Sequence, residues 1–177
     1  MKYNQLDFTK PEFVVHCDND SFSEYRQLDS PSFYECGSYV RIVGSCNGLV
    51  CLFDEIKDSL ILWNPAIGEF ITPSLRKICT VSYDILGFGF DRKNNDYKVV
   101  RIVFPFAHKT YSAIAKIFQL SSYSWKTVAI KNRDYDYIAD DDFGSLVELN
   151  GVFHWFAIIH NGTDKMISSF DLRLNKL

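Results

Sequence analysis

Five cysteines, four histidines and a run of three aspartates are the residues of this 177-residue chain best equipped for chemistry. Cys17, Cys36, Cys46, Cys51 and Cys79 are odd in number, form no Cys-x-x-Cys pair and match no zinc-ligand spacing. Cys46 and Cys51 stand among apolar residues, where a thiol behaves as a small hydrophobe. The expectation is a reducing compartment, structural cysteines, and no bound metal or cofactor. His16, His108, His154 and His160 are scattered, without partners at ligand spacing. His154, inside the strand-like VFHWF, reads as a buried or half-buried structural histidine. Asp140-Asp141-Asp142 could ligate a hard cation, but the commoner meaning of such a run is a solvated acidic loop. GFGF (87–90) is followed by no helix, so it is no phosphate loop. Two glycines among aromatics indicate close backbone packing or a bulge. No Gly-x-Ser-x-Gly elbow occurs. Catalysis is not expected.

Binding is better supplied. The polar stretch KNRDYDYIADDDFG (131–144) carries Arg133, Tyr135 and Tyr137. The loop FPFAHKTY (104–111) carries Phe106 and His108. Arg and Tyr dominate the energetic centres of protein interfaces, and long ordered loops often carry function. These five residues are the protein-binding candidates. The competing reading of both stretches is a surface loop without a role.

Positioning such loops takes a scaffold, and the composition can build one. Hydrophobic residues are 47% of the chain and aromatics 16%, which argues against disorder. The net charge is −3 and no block of Lys or Arg stands out, so the footprint of a nucleic-acid binder is missing. No run approaches the ~20 apolar residues of a membrane-spanning helix. The opening MKYNQLDFTKPEF lacks the apolar stretch of a signal peptide. Asn161-Gly162-Thr163 fits a glycosylation sequon but reads as a turn.

Short β-branched and aromatic runs between Gly, Asn, Asp and Pro predict strands. They fall at 39–43, 49–53, 59–63 and 69–72. A second group follows at 84–90, 97–104, 112–120 and 124–130, and a third at 145–149, 152–159 and 166–172. Ser45 to Gly48 and Asn150-Gly151 read as turns, because Asn and Gly tolerate positive φ. The one place where a helical turn is expected is near Ser23–Arg26. Trp63, Phe118 and Phe170 close the third strand of successive units, 55 and 52 residues apart. Four strands repeating every ~50 residues is a propeller-blade signature of the kelch kind. Trp63 is expected to wedge between adjacent blades. The fold class is therefore all-β, with kelch-like blades of four antiparallel strands. About three and a half blades fit in the chain at ~50 residues each, an incomplete propeller.

Several stretches, in this order, also resemble a known family: SCNGL (45–49), WNP (63–65), GFGFD (87–91), NDYKVV (95–100), LNGVFHW (149–155) and SFDL (169–172). Together they are similar to the F-box-associated domain of plant F-box/kelch-type proteins, a family that includes the S-locus F-box proteins. The resemblance covers roughly residues 13 to 176. It implies a substrate-recognition arm that is not itself an enzyme. In such proteins an F-box docks on a Skp-type adaptor of a cullin-based, SCF-type ubiquitin ligase, and the β domain captures the target protein. No F-box is recognisable in these residues, so adaptor and cullin are expected as partners only through one supplied elsewhere. On this reading residues 1–38 lead into the domain as a partial blade, and 39–177 form the F-box-associated domain. The expected location is cytoplasmic, nuclear or both. Two alternatives stand beside it: a truncated remnant without a ligase role, and a propeller enzyme acting on glycosides. The second needs convergent carboxylates, whereas the strands here are overwhelmingly apolar.

Overall fold

The computed structural model describes residues 13–16, 21, 24–28, 39–75, 82–105, 113–130, 146–158 and 165–174. Among these residues every regular element is a β-strand. The strands are β1 (Phe13–His16), β2 (Glu24–Leu28), β3 (Val40–Cys46), β4 (Leu49–Asp54), β5 (Ser59–Asn64), β6 (Glu69–Ile71) and β7 (Ser82–Asp91). They continue as β8 (Asp96–Pro105), β9 (Ile114–Gln119), β10 (Ser124–Ala129), β11 (Val147–Leu149), β12 (Val152–Ile158) and β13 (Lys165–Asp171). Four sheets result, ordered β1-β2, β3-β4-β5-β6, β10-β9-β8-β7 and β11-β12-β13. Each is a meander in which consecutive strands are neighbours, the arrangement expected of propeller blades.

Two details correct the sequence reading. The helical turn expected near Ser23–Arg26 is strand: β2 pairs antiparallel with β1, Arg26 opposite Val15 and Leu28 opposite Phe13. Pairing with the β-branched and aromatic residues of β1 overrides the modest helix preference of Glu, Arg, Gln and Leu. The turn expected over Ser45 to Gly48 is shorter, because β3 continues through Cys46. Asn47 (φ 48°) and Gly48 (φ 82°) make the reversal alone, a two-residue turn whose twist matches that of the flanking strands.

The chain divides into two compact units, Met1–Ile42 with Gly48–Ser74, and Val43–Asn47 with Leu75–Leu177. In the first, Leu52, Ile61 and Trp63 form a buried cluster, with Val40, Val50 and Phe70 packed against it. Trp63 is 4% exposed and stands between Val50 and Phe70 on the neighbouring strands. In the second, Ile85, Val100, Ile102 and Ile117 of one sheet share a core with Phe153, Trp155 and Phe170 of the other. Residues 99–103 of the central strand β8 are all buried. Such a strand reads as an unbroken apolar run rather than an alternation, and Arg101 within it is paired with Asp84.

The two glycines of GFGF sit on β7, whose register with β8 runs unbroken from Ser82↔Pro105 to Asp91↔Asp96. There is no bulge; the close-packing alternative holds. A Cβ on Gly87 would meet the Phe153 ring at 3.0 Å, and one on Gly89 would meet Glu148 Cγ and Leu172 Cδ1 at 3.1 Å.

Candidate functional site

Repeated turn chemistry fixes the ends of these sheets. Four hairpins enclose four residues each, between the flanking pairs Asp54↔Ser59, Asn64↔Glu69, Asp91↔Asp96 and Gln119↔Ser124. The last turn residue has positive φ every time: Asp58 (48°), Gly68 (73°), Asn95 (51°) and Tyr123 (48°). A bulky residue is rare in that conformation. At Tyr123 it coexists with an edge-on contact to the Phe118 ring, centroids 5.4 Å apart. Asp54 Oδ1 accepts the backbone N–H of Ile56 (3.0 Å) and of Lys57 (3.1 Å). Asp91 Oδ1 does the same for Lys93 (3.0 Å) and Asn94 (3.2 Å). Asp171 Oδ1 accepts from Arg173 (2.7 Å) and Leu174 (3.2 Å). Side-chain acceptors of this kind hold a turn by occupying the N–H groups it leaves open.

In the second unit the turns are also tied to one another. Asp96 accepts the N–H (2.9 Å) and the hydroxyl (2.8 Å) of Ser121, joining the turns 92–95 and 120–123 at one end of the sheet β10-β9-β8-β7. Lys98 Nζ donates to Asp91 Oδ2 (2.6 Å) and to the carbonyl of Leu172 (2.8 Å), so one ammonium touches both sheets. Asn94 Nδ2 donates to the same Asp91 oxygen at 2.6 Å. Burial alone would raise the Asp91 carboxyl, but the hydrogen bonds from Lys98 and Asn94 outweigh it and hold it below the usual range. Asp171 is pushed down to about 2, chiefly by its hydrogen bond from Arg173.

These ties define two ends of the unit. The turns 92–95, 120–123, 150–151 and 172–174 lie at the tied end. At the opposite end Ser82 pairs with Pro105, Ala129 with Ile114, and Ile158 with Lys165. Segments 106–112, 131–145 and 159–164 therefore leave their sheets at that opposite end. The binding candidates Phe106, His108, Arg133, Tyr135 and Tyr137 belong to the first two of these segments and lie outside the described residues. So do Cys17, Cys36, Cys79, His160, Asp140 to Asp142 and the Asn161 sequon.

His154 is half-buried, its Nδ1 2.8 Å from the Ser169 hydroxyl on the paired strand, the structural role expected of it. Cys46 and Cys51 are free thiols. Burial pushes both upward, with Glu148 adding to the effect at Cys46, so neither is a ready nucleophile.

Sequence reasoning missed the Asp turns and Lys98. A signal was present: Phe-Asp precedes the turn three times, at 53–54, 90–91 and 170–171. A lysine between aromatic and β-branched neighbours, as in DYKVV, was a second.

Meandering antiparallel sheets, in the second unit with short closed turns at one end and longer connections at the other, define a propeller-type scaffold. The F-box associated beta propeller domain matches residues 6–177, and the chain belongs to that family. It is 32% identical over 143 residues to an F-box/kelch-repeat protein of Arabidopsis thaliana, covering 73% of this chain and 35% of that protein. It is 35% identical over 115 residues to an F-box protein of the same plant, covering 54% of this chain and 27% of the other. Jacalin-related lectin 38 of Arabidopsis thaliana is 26% identical over 174 residues, 95% of this chain and 32% of the lectin. The chain thus spans about a third of the length of the curated relatives it matches. No solved structure matches it.

Proposed function

We propose that this chain is the protein-recognition domain of an SCF-type ubiquitin ligase receptor. It captures a target protein, and other subunits carry out the ubiquitination. The observation that supports this is the family match over residues 6–177, together with relatives named as F-box proteins. A Skp-type adaptor and cullin are reached through an F-box in the same assembly. The domain works in the cytoplasm or nucleus, compartments that keep thiols reduced.

We assign target capture to the end of the second unit from which segments 106–112 and 131–145 leave. Phe106, His108, Arg133, Tyr135 and Tyr137 provide the aromatic and guanidinium groups that anchor protein interfaces. The test joins the chain to an F-box, expresses it with proteasomal degradation blocked, and identifies captured proteins carrying ubiquitin. The expected result is a captured, ubiquitinated protein that is lost in the Arg133→Ala/Tyr135→Ala/Tyr137→Ala variant. Capture untouched by that variant would move the surface elsewhere. A capture set with no ubiquitinated protein would sink the ligase reading.

A further inference from the structure

We propose that Lys98 is a buried latch between the two sheets of the second unit, and that the sheet β11-β12-β13 opens as a body when the latch is removed. Lys98 is 2% exposed, and its two acceptors belong to different sheets, Asp91 at the end of β7 and Leu172 in the turn that follows β13. Turn 92–95 does not need the ammonium. Asp91 already accepts two backbone N–H groups and the Asn94 amide. What Lys98 adds is its bond to the carbonyl of Leu172.

Leu172 is the point where the sheet β11-β12-β13 is gathered. Its N–H donates to the Gly151 carbonyl at 2.9 Å, joining the last turn to the Asn150-Gly151 turn. Its side chain is fully buried and lies against Gly89 of β7. Its carbonyl then receives Lys98. One residue thus ties two turns of its own sheet, and one ammonium ties that residue to the neighbouring sheet.

The core shared by the sheets is apolar: Phe153, Trp155 and Phe170 lie with Ile85, Val100 and Ile102. Apolar burial is strong but non-directional, so by itself it permits small rotations and slips. A buried ion pair adds little net stability but can fix one arrangement among several. Lys98 supplies that direction at the tied end. When the sheet β11-β12-β13 opens, its attachment points at Leu146 and Ile158 shift relative to Pro105 and Ile130. The latch therefore also sets the spacing of the ends from which the connecting segments leave.

The experiment is amide hydrogen exchange, read by mass spectrometry along the full chain. The test variant is Lys98→Met/Asp91→Asn, which removes both charges and leaves Asn an oxygen for the turn N–H groups. Exchange in β12 and β13 is expected to accelerate by about tenfold or more while 99–103 and 114–118 stay as protected as before, the signature of one cooperative unit opening. Ser121→Ala, which removes a bond inside the sheet β10-β9-β8-β7, is the control; it should leave β12 and β13 unchanged. Acceleration shared equally by both sheets would make Lys98 a general stabiliser and overturn the proposal. So would unchanged exchange in β12 and β13, or loss of protection in the sheet β10-β9-β8-β7, including a chain that does not fold.

Discussion

Gly87 lies flush against the ring of Phe153: a methyl group added at Gly87 would stand 3.0 Å from both Cε1 and Cζ of that ring. The side chain of Leu146 closes the same space, also at 3.0 Å. Gly87→Ala is therefore expected to cost about 1–3 kcal/mol, the usual range for overpacking a well-filled core. Urea melts of the two chains measure it. A variant as stable as the parent would show that Phe153 can step aside.

Trp63→Ala should cost about 3–5 kcal/mol, as removal of a buried large aromatic does. The indole is 4% exposed and faces Phe70 across the strand pair. A loss below about 0.5 kcal/mol in a urea melt, the range of surface changes, would contradict its place in the core.

Acid should weaken the chain in a defined window. Arg173 holds the Asp171 carboxyl at about 2, whereas an unfolded Asp titrates near 3.9. As pH falls, the unfolded chain takes up this proton first. The stabilisation is complete above about pH 4 and is lost as pH falls toward about 2. Asp91, also held low, contributes in the same direction. Asp171→Asn should flatten the fall of the urea midpoint between pH 4 and pH 2, about the two titration points. An identical pH profile for variant and parent would dismiss the carboxylate as a source of acid sensitivity.

Phe156 and Ile167 face each other across β12 and β13, each 63% exposed. Val147 and Leu149 of β11, 57% and 60% exposed, add to the apolar surface of the same sheet. Exposed apolar patches promote association. Phe156→Thr/Ile167→Thr should reduce light scattering on warming and binding of an apolar dye, with the melting free energy changed by no more than about 0.5 kcal/mol. Undiminished scattering would place the sticky surface elsewhere.

Much of the fold was legible because each strand here is a short apolar run stopped by a residue with a special backbone role. Trp63, Phe118 and Phe170 were recognisable as equivalents, and each is the penultimate residue of its strand. Gly87 and Gly89 were recognisable as close-packing residues, because glycine among large aromatics leaves few other meanings. β2 was not legible: Glu24 to Leu28 carry no strand pattern of their own and become a strand through β1. The ion pair was hidden for a similar reason. Lys98 and Asp91 are seven residues apart on neighbouring strands, and the third partner is a backbone carbonyl 74 positions away from the lysine, which no side-chain pattern announces. Of the binding candidates, sequence reveals residue types suited to an interface, while a surface is defined by distances between segments that are remote along the chain.

The carboxylate-held turns make one end of the second unit intolerant of growth. Asp91 reaches the N–H groups two and three positions ahead of it. One inserted residue would carry those groups away from the oxygen and shift the left-handed residue off Asn95. The 92–95 turn is thus locked in length as well as in shape.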